Sequence, residues 1–213
     1  MIAMDYFISI LFLWKGYNEL AKKIEALVDC NRIPGNQTLV PSENWHSTLF
    51  AIAKLPKNKS ESPIDEMRKF FEKLPFDEIG CVLQKHLSSL TIRASEFRIY
   101  DNTANIQFDV EHGCLCAMRQ EMANFLTDWE LPSGFNLPEG IHFPKAVESK
   151  NRGSLLYGSF ARRKCKNEDN KVRLCEHITD LDSFQPGKVQ ITVSDDELGN
   201  EREINVDFKE VAL

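Results

Sequence analysis

LVPSENWHSTLFAIAKL, residues 39 to 55, decides the reading of this chain. Trp45 to Ala53 is dense in Leu, Phe, Ile and Thr, and Pro56 follows, so a β-strand is predicted there. Side chains two residues apart on a strand share a face. His46 and Thr48 therefore project together, while Ser47 and Leu49 face the other way. An imidazole moves a proton near neutral pH, and a hydroxyl two residues on can hydrogen-bond a phosphoryl oxygen. Such a pair is half of a device for opening a cyclic phosphodiester. One imidazole would activate the nucleophile, and a second, from elsewhere, would protonate the leaving oxygen.

Upstream, YFISILFLW (residues 6–14) is the most apolar run. It has neither the basic start nor the cleavage site of a secretory signal, and it is too short to span a bilayer. It reads as a buried first strand. Asn18 to Val28 brings Leu20, Ile24, Leu27 and Val28 onto one helical face, and Asn31 to Asn36 supplies a turn.

Downstream, residues 57–62 read as a solvated loop, and Pro63 to Leu74 as a helix capped by Ser62. Residues 87–100 and 103–111 read as a hairpin turning at Asp101-Asn102. Leu115 to Trp129 is a helix with Leu115, Met118, Met122, Phe125 and Leu126 toward the core. Residues 131–150 are loop-like, 153–162 strand-like and 162–171 a charged loop. VRLCEHITDL (172–181) and KVQITVSDDELGNEREINVDF (188–208) follow, the latter ending in a hairpin. The strand–helix–strand rhythm occurs once in each half, which predicts an α+β fold of two similar lobes.

A formal net charge of −6 argues against broad contact with a nucleic-acid duplex, which requires many cations, but leaves room for a short nucleotide in a locally basic cleft. The six cysteines are scattered through a chain too long to depend on disulfides. They read as reduced thiols of a cytoplasmic protein, and no spacing predicts a metal site.

The 39–55 stretch resembles the first motif region of the two-histidine phosphoesterase superfamily, in which a lead-in containing proline and Glu-Asn precedes His-x-Thr-Leu on a strand. The order of the succeeding elements is also similar. The resemblance implies a single domain over residues 1–213, with two pseudo-symmetric lobes of antiparallel sheet and flanking helices around a central cleft. Each lobe would supply one His-x-Thr/Ser. It implies hydrolysis of 2′,3′-cyclic phosphates or RNA-end processing, without metal or organic cofactor. His46 would be general acid or base and Thr48 a ligand to phosphate oxygen. The expected partner is a small phosphorylated ligand or a short RNA end, with no membrane.

That resemblance requires a second motif on the strand after the third helix, where NRGSLLYGSFARR (151–163) has no histidine. Alignment on Ser154-Leu155 puts Arg152 at the histidine position. Arg152 and Ser154 could clamp a phosphate, but arginine does not release its proton. Tyr157, on the same strand, could stack on a base. A literal motif, His177-Ile178-Thr179, lies further on, with Asp180 where an apolar residue is usual. His86, His112 and His142 are assigned no role. Three functions follow: a phosphodiesterase, a nucleotide- or phosphate-binding module with Arg152 replacing the second histidine, or a structural or interaction domain in which His46 is incidental. Oligomeric state is left open.

Overall fold

The apolar run at the start of the chain is the centre of a sheet. In a computed structural model, residues 5–14, 17–30, 32–35, 37–42, 45–56, 63–88, 90–110, 114–137, 139, 141, 156–162, 171–183, 188–195 and 205–212 are described. Strand β1 (Asp5–Leu13) lies between β3 (His46–Pro56) and β8 (Lys188–Asp195), and β9 (Asn205–Ala212) completes the order β3-β1-β8-β9. Ile8, Ile10, Leu11 and Phe12 are all buried, so both faces of β1 are covered at its middle. This is why its sequence is continuously apolar and does not alternate.

A second sheet has the order β2-β6-β5-β4-β7, from β2 (Thr38–Leu39), β4 (Ile92–Tyr100), β5 (Thr103–Val110), β6 (Leu156–Arg162) and β7 (Val172–His177). The pairings are antiparallel in both sheets among the described residues. With helices α1 (Asn18–Asp29), α2 (Pro63–Phe71), α3 (Phe76–Leu87) and α4 (Cys114–Asp128), the fold is α+β. No helix among the described residues is long and apolar enough to cross a membrane.

The hairpin at Asp101-Asn102 forms between β4 and β5 as expected. Two local expectations are corrected, and one short strand is new. The strand predicted from residue 87 begins only at Ile92, because residues 76–87 form α3. Ile79, Val82, Leu83 and Leu87 bury one face of that helix, with Asp77 and Glu78 in its first turn and Lys85 and His86 in its last. Pro75 just before it and Gly80 within it disguise the pattern. Helix α2 stops at Phe71 and not Leu74, whose backbone N–H turns back to the Phe71 carbonyl. The two-residue β2 exists only because Thr38 and Leu39 pair with Arg162 and Ala161 of β6, a distant partner that no local pattern reports.

One hydrophobic cluster draws on both sheets and all four helices, through Leu20, Met67, Ile79 and Leu115 among others. Aromatic rings stitch the sheets together within it. Phe12 of β1 meets Phe108 of β5 edge-on at 6.4 Å, and Trp14 lies 5.4 Å from Phe108. Contacts of this kind contribute beyond their buried area.

Candidate functional site

His46 opens β3, and burial alternates there as a strand requires. Trp45, Ser47 and Leu49 are buried, while His46 and Thr48 are half-buried on the opposite face. Ser47 accepts a hydrogen bond from the Trp14 indole Nε1 at 3.0 Å. The Trp14 backbone N–H donates to the Trp45 carbonyl at 3.0 Å. The strand is thereby anchored from beneath by the face that carries no candidate chemistry.

The register against β1 runs Leu13↔His46, Phe12↔Ser47, Leu11↔Thr48 and then Ile10↔Phe50, so Leu49 is an extra residue in the ladder. A bulge of this kind bends a strand and re-aims the side chains beside it. Arg119 of α4, only 3% exposed, secures the bend. Its Nε donates to the Leu49 carbonyl at 2.8 Å and its Nη2 to the Thr48 carbonyl at 3.4 Å. At Leu49, which the ladder with β1 leaves out, a side chain supplies a donor to the backbone acceptor.

The two sheets touch at the same place. A Cβ built on Gly158 of β6 would lie 2.1 Å from the His46 carbonyl oxygen and 2.2 Å from the Trp14 ring. Only glycine admits this approach. Neither Gly158 nor Arg119 was identified from sequence. A glycine inside a strand-like run is a signal for close backbone approach, whereas an arginine inside an amphipathic helix pattern carries none.

The other candidate residues fall elsewhere. Arg152 and Ser154 lie outside the described residues, and Tyr157 occupies the β6 position opposite Gln107. His177 ends β7, at the far edge of the five-stranded sheet, and Thr179 follows it. Three inter-strand steps separate β7 from β6, roughly 14 Å at about 4.8 Å each. His177 and Thr179 line a groove of about 520 Å³, together with Lys23 of α1 and Arg32 just beyond it. Lys23 pairs with Asp180 at 2.5 Å and Arg32 with Glu176 across that groove. The structure therefore brings His46 and Thr48 together and sets His177 and Thr179 apart from them.

His86 contacts Glu121 at 2.7 Å, in a clasp between α3 and α4 that Lys85 shares. Hydrogen bonds from Lys85 and then His86 hold the Glu121 carboxyl below its usual range. His112 and His142 lie outside the described residues. Cys30, Cys81, Cys114, Cys116 and Cys175 are free thiols. Among the described residues, no group of three or more His, Cys, Asp or Glu is placed to hold a metal ion.

A polar cluster that the sequence reading missed lies on β4 and β7. Glu96, 6% exposed, accepts from Arg98 Nε at 2.5 Å and from the Cys175 thiol. The Cys175 hydrogen bond and then that of Arg98 hold its carboxyl pKa below the ordinary carboxylate range, against the opposing effect of burial. No protein-family model matches the chain, and no curated protein matches it.

Proposed function

We propose that the chain is a bilobal, phosphodiesterase-like protein of two-histidine type, acting on a 2′,3′-cyclic nucleotide or a short RNA end. The observation that carries this reading is the local geometry of β3: His46 and Thr48 half-buried on one face, with Ser47 and Leu49 buried beneath them. A flanking bulge held by Arg119 adds support, since bulges recur beside active sites.

In this reading the cleft follows the junction of β3 with β6. Thr48 Oγ donates to a phosphoryl oxygen and fixes the phosphate against the strand. His46 acts at one end of the displacement. As base it takes a proton from water while the water oxygen bonds to phosphorus; as acid it protonates the ribose oxygen as the ring P–O bond breaks. The complementary proton transfer belongs to a second group. Metal is not required by this proton bookkeeping.

The test is incubation with each of the four 2′,3′-cyclic nucleotides, following monophosphate release. The parent is expected to turn over at least one of them, and His46→Ala to lose about 100-fold or more, the usual contribution of a positioned acid–base group. Turnover surviving His46→Ala would overturn the assignment.

A second reading, a binding module in which Arg152 replaces the second histidine, is favoured by one observation. His86 is committed to the α3–α4 clasp with Glu121, and His177 sits at the far edge of the five-stranded sheet. Stabilisation by cyclic nucleotide without product would support it.

A further inference from the structure

The register of the five-stranded sheet lines up two complete rows of polar residues. From β6 to β7, Ser159, Asn105, Arg98 and Cys175 are successive cross-strand partners. The adjoining row is Tyr157, Gln107, Glu96 and His177. No aliphatic residue interrupts either row. The alternating positions of the same strands, including Phe97, Ile106, Phe108, Gly158 and Phe160, are buried in the core. The described side chains of these rows therefore occupy the face turned away from it.

Several of these groups are held in place. Arg98, 41% exposed, is tied by its Nε to the nearly buried Glu96, which also takes the Cys175 thiol hydrogen bond. Ser159 Oγ donates to Asn105 Oδ1 at 2.8 Å, which occupies one lone pair of that amide oxygen and leaves its Nδ2 donors. Among the described residues, no hydrogen bond engages the Gln107 carboxamide. An amide pair beside an anchored guanidinium offers alternating donors and acceptors next to a flat cation. A nucleobase is complementary to both, through its hydrogen-bonding edge and its π-face.

The rows adjoin the candidate site. Gly158, which touches the His46 carbonyl, lies between Tyr157 and Ser159, the β6 members of the two rows. Trp14, Ser47 and Phe108 share the core on one side of this junction. His46 and Thr48 face away from that core on one sheet, and the polar rows face away from it on the other.

We propose that these two rows are a base-recognition surface for single-stranded RNA whose terminal phosphate lies at His46 and Thr48. Gln107 and Asn105 read base edges, and Arg98, positioned by Glu96, provides a stacking plate. This rests on the functional reading above. The span from β6 to β7, roughly 14 Å at about 4.8 Å per strand, exceeds one base and suits more than a mononucleotide.

The test is fluorescence anisotropy with a 5′-fluorescein single-stranded RNA tetranucleotide ending in a 3′-phosphate, alongside cyclic-nucleotide turnover and binding. Gln107→Ala and Arg98→Lys are each expected to weaken RNA binding roughly tenfold or more, the usual worth of one good base contact. Their melting temperatures should stay near that of the parent, and either variant suffices if the other fails to fold. Equal RNA affinity in parent and both variants overturns the surface while leaving the His46 reading intact. So does a parent that handles cyclic nucleotides but does not bind the RNA. A parent that neither binds nor hydrolyses cyclic nucleotide, and does not bind RNA, removes the His46 reading and this surface with it.

Discussion

Replacing Gly158 by alanine should destabilise the protein more than its size suggests. The added Cβ would sit 2.1 Å from the His46 carbonyl oxygen and 2.2 Å from Trp14 Cζ2, while real Cβ contacts are essentially never under 3.0 Å. The strands would have to part by about 1 Å to reach even that limit. Neither neighbour yields easily: one is strand backbone, and the other is an indole that is 3% exposed and hydrogen-bonded to Ser47. Overpacking costs about 1–3 kcal/mol, and two rigid neighbours put this site near 3 kcal/mol. At about 2–4 °C per kcal/mol for a chain of this length, Tm should fall by about 6–12 °C. Calorimetry or urea unfolding measures it. Gly35→Ala is the control, because nothing lies within 4 Å of its Cβ, and that variant should stay within about 1 kcal/mol of the parent. A Gly158→Ala protein as stable as Gly35→Ala would refute the claim that the sheets meet in rigid contact there. In the proposed enzyme it should also lose turnover, since parting β3 from β6 displaces His46.

Three other perturbations probe the supports of the site. Arg119→Met leaves the Leu49 and Thr48 carbonyls without their donor and should cost about 2–4 kcal/mol in urea unfolding; an unchanged midpoint would mean that the bulge holds itself. Ser47→Ala strands the buried Trp14 Nε1 and should cost about 1–2 kcal/mol, with Ser47→Thr the test of whether an acceptor alone restores it. The lowered pKa of Glu96 predicts stability that is fully present above the usual carboxylate range and is lost as pH falls through the folded-state value. Urea midpoints taken at neutral and acidic pH should therefore differ less in Glu96→Gln than in the parent, and an equal difference would show that Glu96 is not a source of that dependence.

The paired projection of His46 and Thr48 was legible before any coordinates, because strand periodicity is a local property. The hairpin at Asp101-Asn102 and the core face of α4 were legible for the same reason. Helix α3 was not, although Ile79, Val82, Leu83 and Leu87 carry its period, because Pro75 and Gly80 are local breakers that packing overrides. His177-Ile178-Thr179 shows the opposite failure. It matches the chemistry of His46 and Thr48 at the level of residue type and spacing, yet β7 lies at the far edge of its sheet.

By itself the sequence determined the periodic features: which residues share a face of β3, where the hairpin turns, and which helix faces are apolar. Each follows from interactions within a few residues of chain. Tertiary structure alone decided what stands beside that face. Gly158 against His46, Arg119 against the Leu49 bulge, and Ser159, Asn105, Arg98 and Cys175 in one row join residues tens of positions apart. Sheet order and register bring them together, and a one-residue slip in any pairing would send each row to the opposite face.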